Sequence, residues 1–131
     1  MRMKNLSPFE ADEQKALFEW AAYARREFPE LELMYHIPNG GTRHPAEARN
    51  LRLQGVKPGV PDIFLPAMRG GYGGLYIEMK RRKGGVVSGE QKRWMAELNK
   101  AGYCVAVCRG WEQARSIITD YLRIGRNTND R

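Results

Sequence analysis

The apolar positions Leu17, Trp20 or Ala21, Ala24 and Phe28 recur with a period near 3.6 and predict a helix over residues 8–28. Ser7 supplies an N-cap, Pro8 suits the first helical position and Pro29 closes the run. Residues 32–37 are apolar and aromatic without strict alternation and predict a short strand. The run Pro38-Asn39-Gly40-Gly41 then breaks the chain. His44-Pro45 to Gln54 predicts a second helix with Gly55 as its stop, and Lys57 to Pro61 a loop. Asp62 to Leu65 is a short strand ended by Pro66, residues 69–74 a turn, and Leu75 to Lys80 a strand with β-formers at its centre. Ser88 caps a helix that runs to about Ala101, with Gly102 at its end. Residues 103–108 are almost continuously apolar, the pattern of a strand buried on both faces, and a last helix spans 111–123. The order α-β-α-β-β-α-β-α predicts a three-layer α/β or α+β fold, a mixed sheet flanked by helices.

The 131 residues make one domain by size, with an ordered core over about 7–123 and a flexible tail over 124–131. A hydrophobic content of 42% supports a small core and excludes a disordered chain. No apolar run approaches the ~20 residues of a membrane span. The charged amphipathic start is not a signal peptide, and two cysteines do not make a disulfide framework, so a cytoplasmic protein is expected.

Charge changes the picture. The net charge is +7, and residues 41–83 hold nine basic and three acidic side chains, +6 of that excess. A concentrated basic segment points to a polyanionic partner such as nucleic acid.

Glu78 and Lys80 are two apart on a strand and share a face. If the strands around them form a hairpin centred on Gly70, paired positions sum to about 140. Asp62 then lies opposite or nearly opposite Glu78, and Phe64 opposite Tyr76. Two carboxylates ~5 Å apart repel unless a cation sits between them, and a hard divalent ion takes such oxygen ligands. Arg81, Arg82 and Lys83 follow directly and offer a phosphate track.

These residues resemble the PD-(D/E)xK nuclease signature, in Pro61-Asp62 and Glu78-Met79-Lys80. Over about residues 8–122 the chain resembles a stand-alone VRR-NUC domain of the bacteriophage and bacterial type. The matching segments are His36 to Gly41, Gly55 to Asp62, Tyr76 to Lys80, Ser88 to Gln91 and Gly102-Tyr103. The resemblance implies a restriction-endonuclease-like core, Mg²⁺- or Mn²⁺-dependent hydrolysis of DNA phosphodiesters, branched DNA such as four-way (Holliday) junctions as substrate, and a homodimer in a bacterial or phage-infected cell. It implies Asp62, Glu78 and the Met79 carbonyl as metal ligands, and Lys80 as the catalytic lysine. A further glutamate on the first helix is Glu10, with Glu13 as second choice, and Gln91 joins from the helix after the strand.

Glu10 and Gln91 each have a second reading as the far end of a capping box, with Ser7 and Ser88 respectively. Asn39, Gly40 and Gly41 are read either as an amide cradle for phosphate or as a tight turn. Arg43, Arg49, Arg52, Lys57, Arg81, Arg82, Lys83, Lys92 and Arg93 are expected to hold the DNA backbone, which positions DNA without reading its sequence. His36 and His44 are expected to be structural or surface residues, Cys104 and Cys108 core thiols, and Trp20, Trp94 and Trp111 packing residues. The competing readings are a non-catalytic DNA-binding module on the same fold, or a nuclease for RNA or unbranched DNA.

Overall fold

The computed structural model describes residues 8–38 and 44–126. The expected helix forms as α1 (Pro8–Ala24) but stops a turn early. Pro29 is the reason: the residue before a proline is pushed out of the helical region, and Phe28 adopts φ −123°, ψ 84°. Pro29–Leu33 then winds into a 3-10 turn that buries Leu31, so the strand expected over 32–37 shrinks to β1 (Tyr35–His36). The next helix, α2 (Pro45–Leu53), ends near Gly55, whose φ of +101° suits glycine. It buries no residue and packs on no other described element.

The rest follows the expected order: β2 (Ile63–Leu65), β3 (Leu75–Lys80), α3 (Gly89–Lys100), β4 (Cys104–Arg109) and α4 (Trp111–Leu122). The sheet runs β1-β2-β3-β4. The first three strands are antiparallel, and β4 lies parallel to β3 across the α3 crossover. The hairpin has the anticipated register, with Ile63, Phe64 and Leu65 opposite Ile77, Tyr76 and Leu75.

That register sorts the side chains. Ile63, Leu65, Leu75, Ile77 and Met79 point into the core, where α1 supplies Leu17 and Ala21 and α4 supplies Ala114, Ile118 and Leu122. Their neighbours Phe64, Tyr76, Glu78 and Lys80 point to the opposite face. There α3 packs on β4 alone and has no fully buried residue. β4 is therefore an edge strand with only Cys108 fully buried, not a strand buried on both faces. Burial pushes the Cys108 thiol up to about 11, as fits a core thiol. Trp20 and Trp111 pack against the core. The packed chain runs through residue 126, because Ile124 lies against Gly70 and Arg126 over the Phe28 ring.

Gly59 locks the approach to β2 under α3. Its φ is +92°, and a Cβ there would sit 2.9 Å from Trp94 Cδ1 and 3.0 Å from the Glu90 backbone. Gly59→Ala is expected to cost about 1–3 kcal/mol in a denaturant titration, from left-handed strain and overpacking together. An unshifted midpoint would show that this contact is not tight.

Candidate active site

Asp62, at the entrance of β2, and Glu78, on β3, face each other beyond the last β2 pair. The Met79 N–H donates to Asp62 Oδ2 at 2.7 Å, which stitches the carboxylate to the strand carrying Glu78. The Asp62 carbonyl accepts from Ile37 N–H at 2.6 Å, and His36 Nδ1 lies 2.9 Å from the same oxygen. His36 thus borders the site. Only the β1–β2 pairing brings it there, and no spacing in the chain announces it.

Glu78 is 3% exposed. Its Oε2 accepts from Gln91 Nε2 at 2.8 Å and lies 3.6 Å from Lys80 Nζ. Its Oε1 is buried with no hydrogen-bond partner. Burial and, next, the charge of Asp62 push the Glu78 carboxyl up to about 8, against the pull of Lys80. Burial also raises Asp62, although the Met79 N–H pulls the other way. Two crowded carboxylates and an orphaned buried oxygen suit a hard cation with oxygen ligands. In a strand the N–H and C=O of one residue leave on the same side, so the Met79 carbonyl also leaves β3 toward Asp62.

The two readings of Gln91 are both realised. Its backbone N–H donates to Ser88 Oγ at 3.1 Å, and its Oε1 accepts the Ser88 N–H at 2.9 Å. The amide nitrogen is left for Glu78. One side chain caps α3 and holds the site carboxylate.

The two glutamates on α1 part company. Glu13 is a structural clasp: it accepts from Arg82 at 2.6 and 3.0 Å and from the Trp111 N–H at 2.8 Å. It thereby caps α4, whose own N-cap is Gly110. The Arg82 guanidinium holds the Glu13 carboxyl below the ordinary range. Glu10 enters neither the clasp nor the Asp62–Glu78 pair. Among the described residues no three His, Cys, Asp or Glu side chains gather to hold a metal, so the structure does not bring Glu10 or Glu13 to the carboxylate pair as expected.

Arg82 is likewise placed otherwise than expected. Its guanidinium is bound by Glu13 and Glu112, and the ring of contacts presses on Gly110, where a Cβ would fall 2.7 Å from Arg82 Cζ. Its charge is compensated and not presented to phosphate. Lys57, Arg81, Lys83, Lys92 and Arg93 are exposed, and none forms an ion pair with another described residue. Arg49 and Arg52 are exposed on α2. Asn39, Gly40, Gly41 and Arg43, with Ser7, lie outside the described residues. A residue the sequence reading overlooked is Arg109, at the end of β4. It donates to the Arg81 carbonyl at 3.0 Å and the Gly85 carbonyl at 2.6 Å, and so shapes the loop after Lys80.

The profile of the VRR-NUC domain family matches residues 10–112. A solved structure named "VRR_NUC domain protein" superposes with a TM-score of 0.77 at 31% identity, covering 94% of this chain and 93% of that one. No curated protein matches the sequence.

Between the ordinary carboxylate range and about 8, folded metal-free protein keeps a proton on Glu78 that the unfolded chain releases. The native state binds more protons, so stability falls as pH rises through this window. In EDTA the melting temperature is expected to drop from pH 5.5 to pH 8.5, and Glu78→Gln to flatten the drop. Parallel profiles for the two proteins would mean that Glu78 is not raised.

Proposed function

The chain belongs to the VRR-NUC domain family, a nuclease family, and from that premise we propose that it is a metal-dependent DNA endonuclease selective for branched DNA. The observation that supports it best is the buried, half-satisfied Glu78 carboxylate set against Asp62 and beside Lys80. A structural ion pair would satisfy both oxygens. Here one is left over.

Asp62, Glu78 and the Met79 carbonyl are the residues that would hold Mg²⁺ or Mn²⁺. The ion supplies, when bound, charge that polarises the scissile phosphate and stabilises the leaving oxygen. The chain's own groups do the rest. Gln91 fixes the Glu78 carboxylate through Oε2 and so orients Oε1. The Met79 N–H fixes Asp62 in the same way. The Lys80 ammonium stands beside the pair, where it orients a water or neutralises charge developing on phosphate. The exposed Arg81 and Lys83, with Lys57, Lys92 and Arg93, hold the DNA backbone. None of these contacts reads bases, which favours selection by DNA shape. A four-way junction has two-fold symmetry and is resolved by two cuts. A C2 homodimer supplies two sites with matching symmetry.

Asp62→Asn and Glu78→Gln are each expected to lower Mg²⁺-dependent cleavage by orders of magnitude while DNA binding persists. Wild-type rates in either variant would place the active site elsewhere. Glu13→Gln is expected to lower the melting temperature by a few degrees, because the α4 cap and the Arg82 pair are weakened together. An unshifted melting temperature would show that the Glu13 clasp does not hold α4. Labelled duplex, flap, splayed-arm and four-way junction DNA, cut at equal salt with Mg²⁺ and Mn²⁺, test the substrate. Light scattering tests the dimer. A monomer that cuts linear duplex as fast as junctions would remove branch selectivity and the dimer while leaving the nuclease.

A further inference from the structure

Four aromatic rings form a row across the sheet, on the face that carries Glu78 and Lys80. Tyr35 on β1 is paired with Phe64 on β2, and Phe64 with Tyr76 on β3. Tyr103, just before β4, closes the row. Phe64 and Tyr76 stack with centroids 4.3 Å apart, and Tyr103 meets both edge-on at 5.9 and 5.3 Å. Tyr35 meets Phe64 edge-on at 6.0 Å.

None of the four belongs to the hydrophobic core or to the side chains packed against it. The described elements do not cover the near end of the row: α3 packs on β4, at the other edge of the sheet, and α2 packs on no element. Tyr35 is accordingly 50% exposed. Along the strands the row lies one alternation from the carboxylates, a step of roughly 7 Å, and Tyr35 stands one strand spacing of about 4.8 Å outside Phe64, which is itself two residues from Asp62. That is about the reach of one nucleotide.

We propose that Tyr35, held by the rings behind it, is a stacking platform for an unpaired DNA base beside the cleavage site. The inference rests on the nuclease reading above and names the feature of branched DNA that the site grips. In duplex DNA the base faces are occupied by their neighbours, and only a base that has left the stack can lie on a protein ring. Stacking is tolerant of base identity because every base has a π face, which matches the backbone-holding cations of the reading above. Charge favours a nucleic acid over an apolar protein partner, because the chain carries +7 and the exposed Lys57, Arg81, Lys83, Lys92 and Arg93 form no ion pair with another described residue. The row itself is mostly tyrosine, an apolar body with a polar tip, which suits a surface that is wet between encounters.

The test uses full-length protein with Ca²⁺ in place of Mg²⁺ to suppress cleavage. The probe is a splayed-arm DNA with 2-aminopurine in the single-stranded arm next to the branch, set against a linear duplex. Wild type is expected to quench the fluorophore on binding. Tyr35→Ala is expected to lose the quench and to reduce the splayed-arm to duplex affinity ratio by about tenfold. Tyr35→Trp is expected to restore both. Because Tyr35 is half exposed and outside the core, melting temperatures of the variants check that they fold. An unquenched probe with wild type, or an unchanged affinity ratio with Tyr35→Ala, overturns the platform. So does a change from dimer to monomer in Tyr35→Ala, which would assign the patch to a second copy of the chain. Cleavage of the same DNAs by wild type with Mg²⁺ is measured in parallel. Cleavage without quenching removes the platform alone, and absence of cleavage removes the nuclease reading itself.

Discussion

The pairing of β2 with β3 is the constraint on which the site depends. In an antiparallel pair a slip of one residue turns every side chain to the other face. With Ile63 opposite Ile77 and Leu65 opposite Leu75, five apolar residues enter the core and the intervening positions are forced to the other side. Asp62 and Glu78 are brought together by that pairing, although the charge of one works against the charge of the other. The hydrophobic side of the sheet holds in place a juxtaposition that its polar side resists.

The resistance is physical. Burying a carboxylate without full pairing is costly, and a second carboxylate adds to the cost. The protein lowers it with the Met79 N–H on Asp62, and with the Gln91 amide and Lys80 on Glu78. Each donor comes from an element whose position is fixed for another reason. The Met79 N–H belongs to β3, and Gln91 is already committed to capping α3. Little remains adjustable around the pair, as fits a site that keeps one oxygen in reserve.

Much of this was legible in the chain. Gly70 and Gly71 have φ values of +56° and +85°, and a turn centred there sets the register before any coordinates are known. The three charged residues at its open end follow from alternation. What the chain did not disclose were contacts between residues remote in sequence. Arg82 reads as one more cation in a basic run, and only the fold brings Glu13 and Glu112 to it. The resemblance puts Glu10 ahead of Glu13, and it is the packing of α1 against α4 that gives Glu13 its clasp. Arg109 escapes for the same reason, since it acts on a backbone carbonyl 24 residues away, and the structural role expected for His36 gains its partner, the Asp62 carbonyl, only in the fold. Capping and catalysis looked like rivals for Gln91 because the two ends of an amide were counted as one group.

The clasp at Glu13 spans 98 residues in sequence, from the first helix to the Trp111 amide, and Arg82 joins the same knot from the exit of the sheet's central strand. Contacts of such separation are entropically slow to close and form after local ones. During synthesis α1 and the hairpin can be complete while the N-terminus of α4 has yet to be made. On a partial chain the loop beyond Lys80 therefore lacks the part of its clasp that α4 supplies. A ribosome-bound fragment ending before residue 111 would carry the three charged residues of the signature without the α4 side chains that complete the core beneath them. Cutting power in such a design arrives as a late property of the whole fold, after the cell has been exposed to most of the polypeptide.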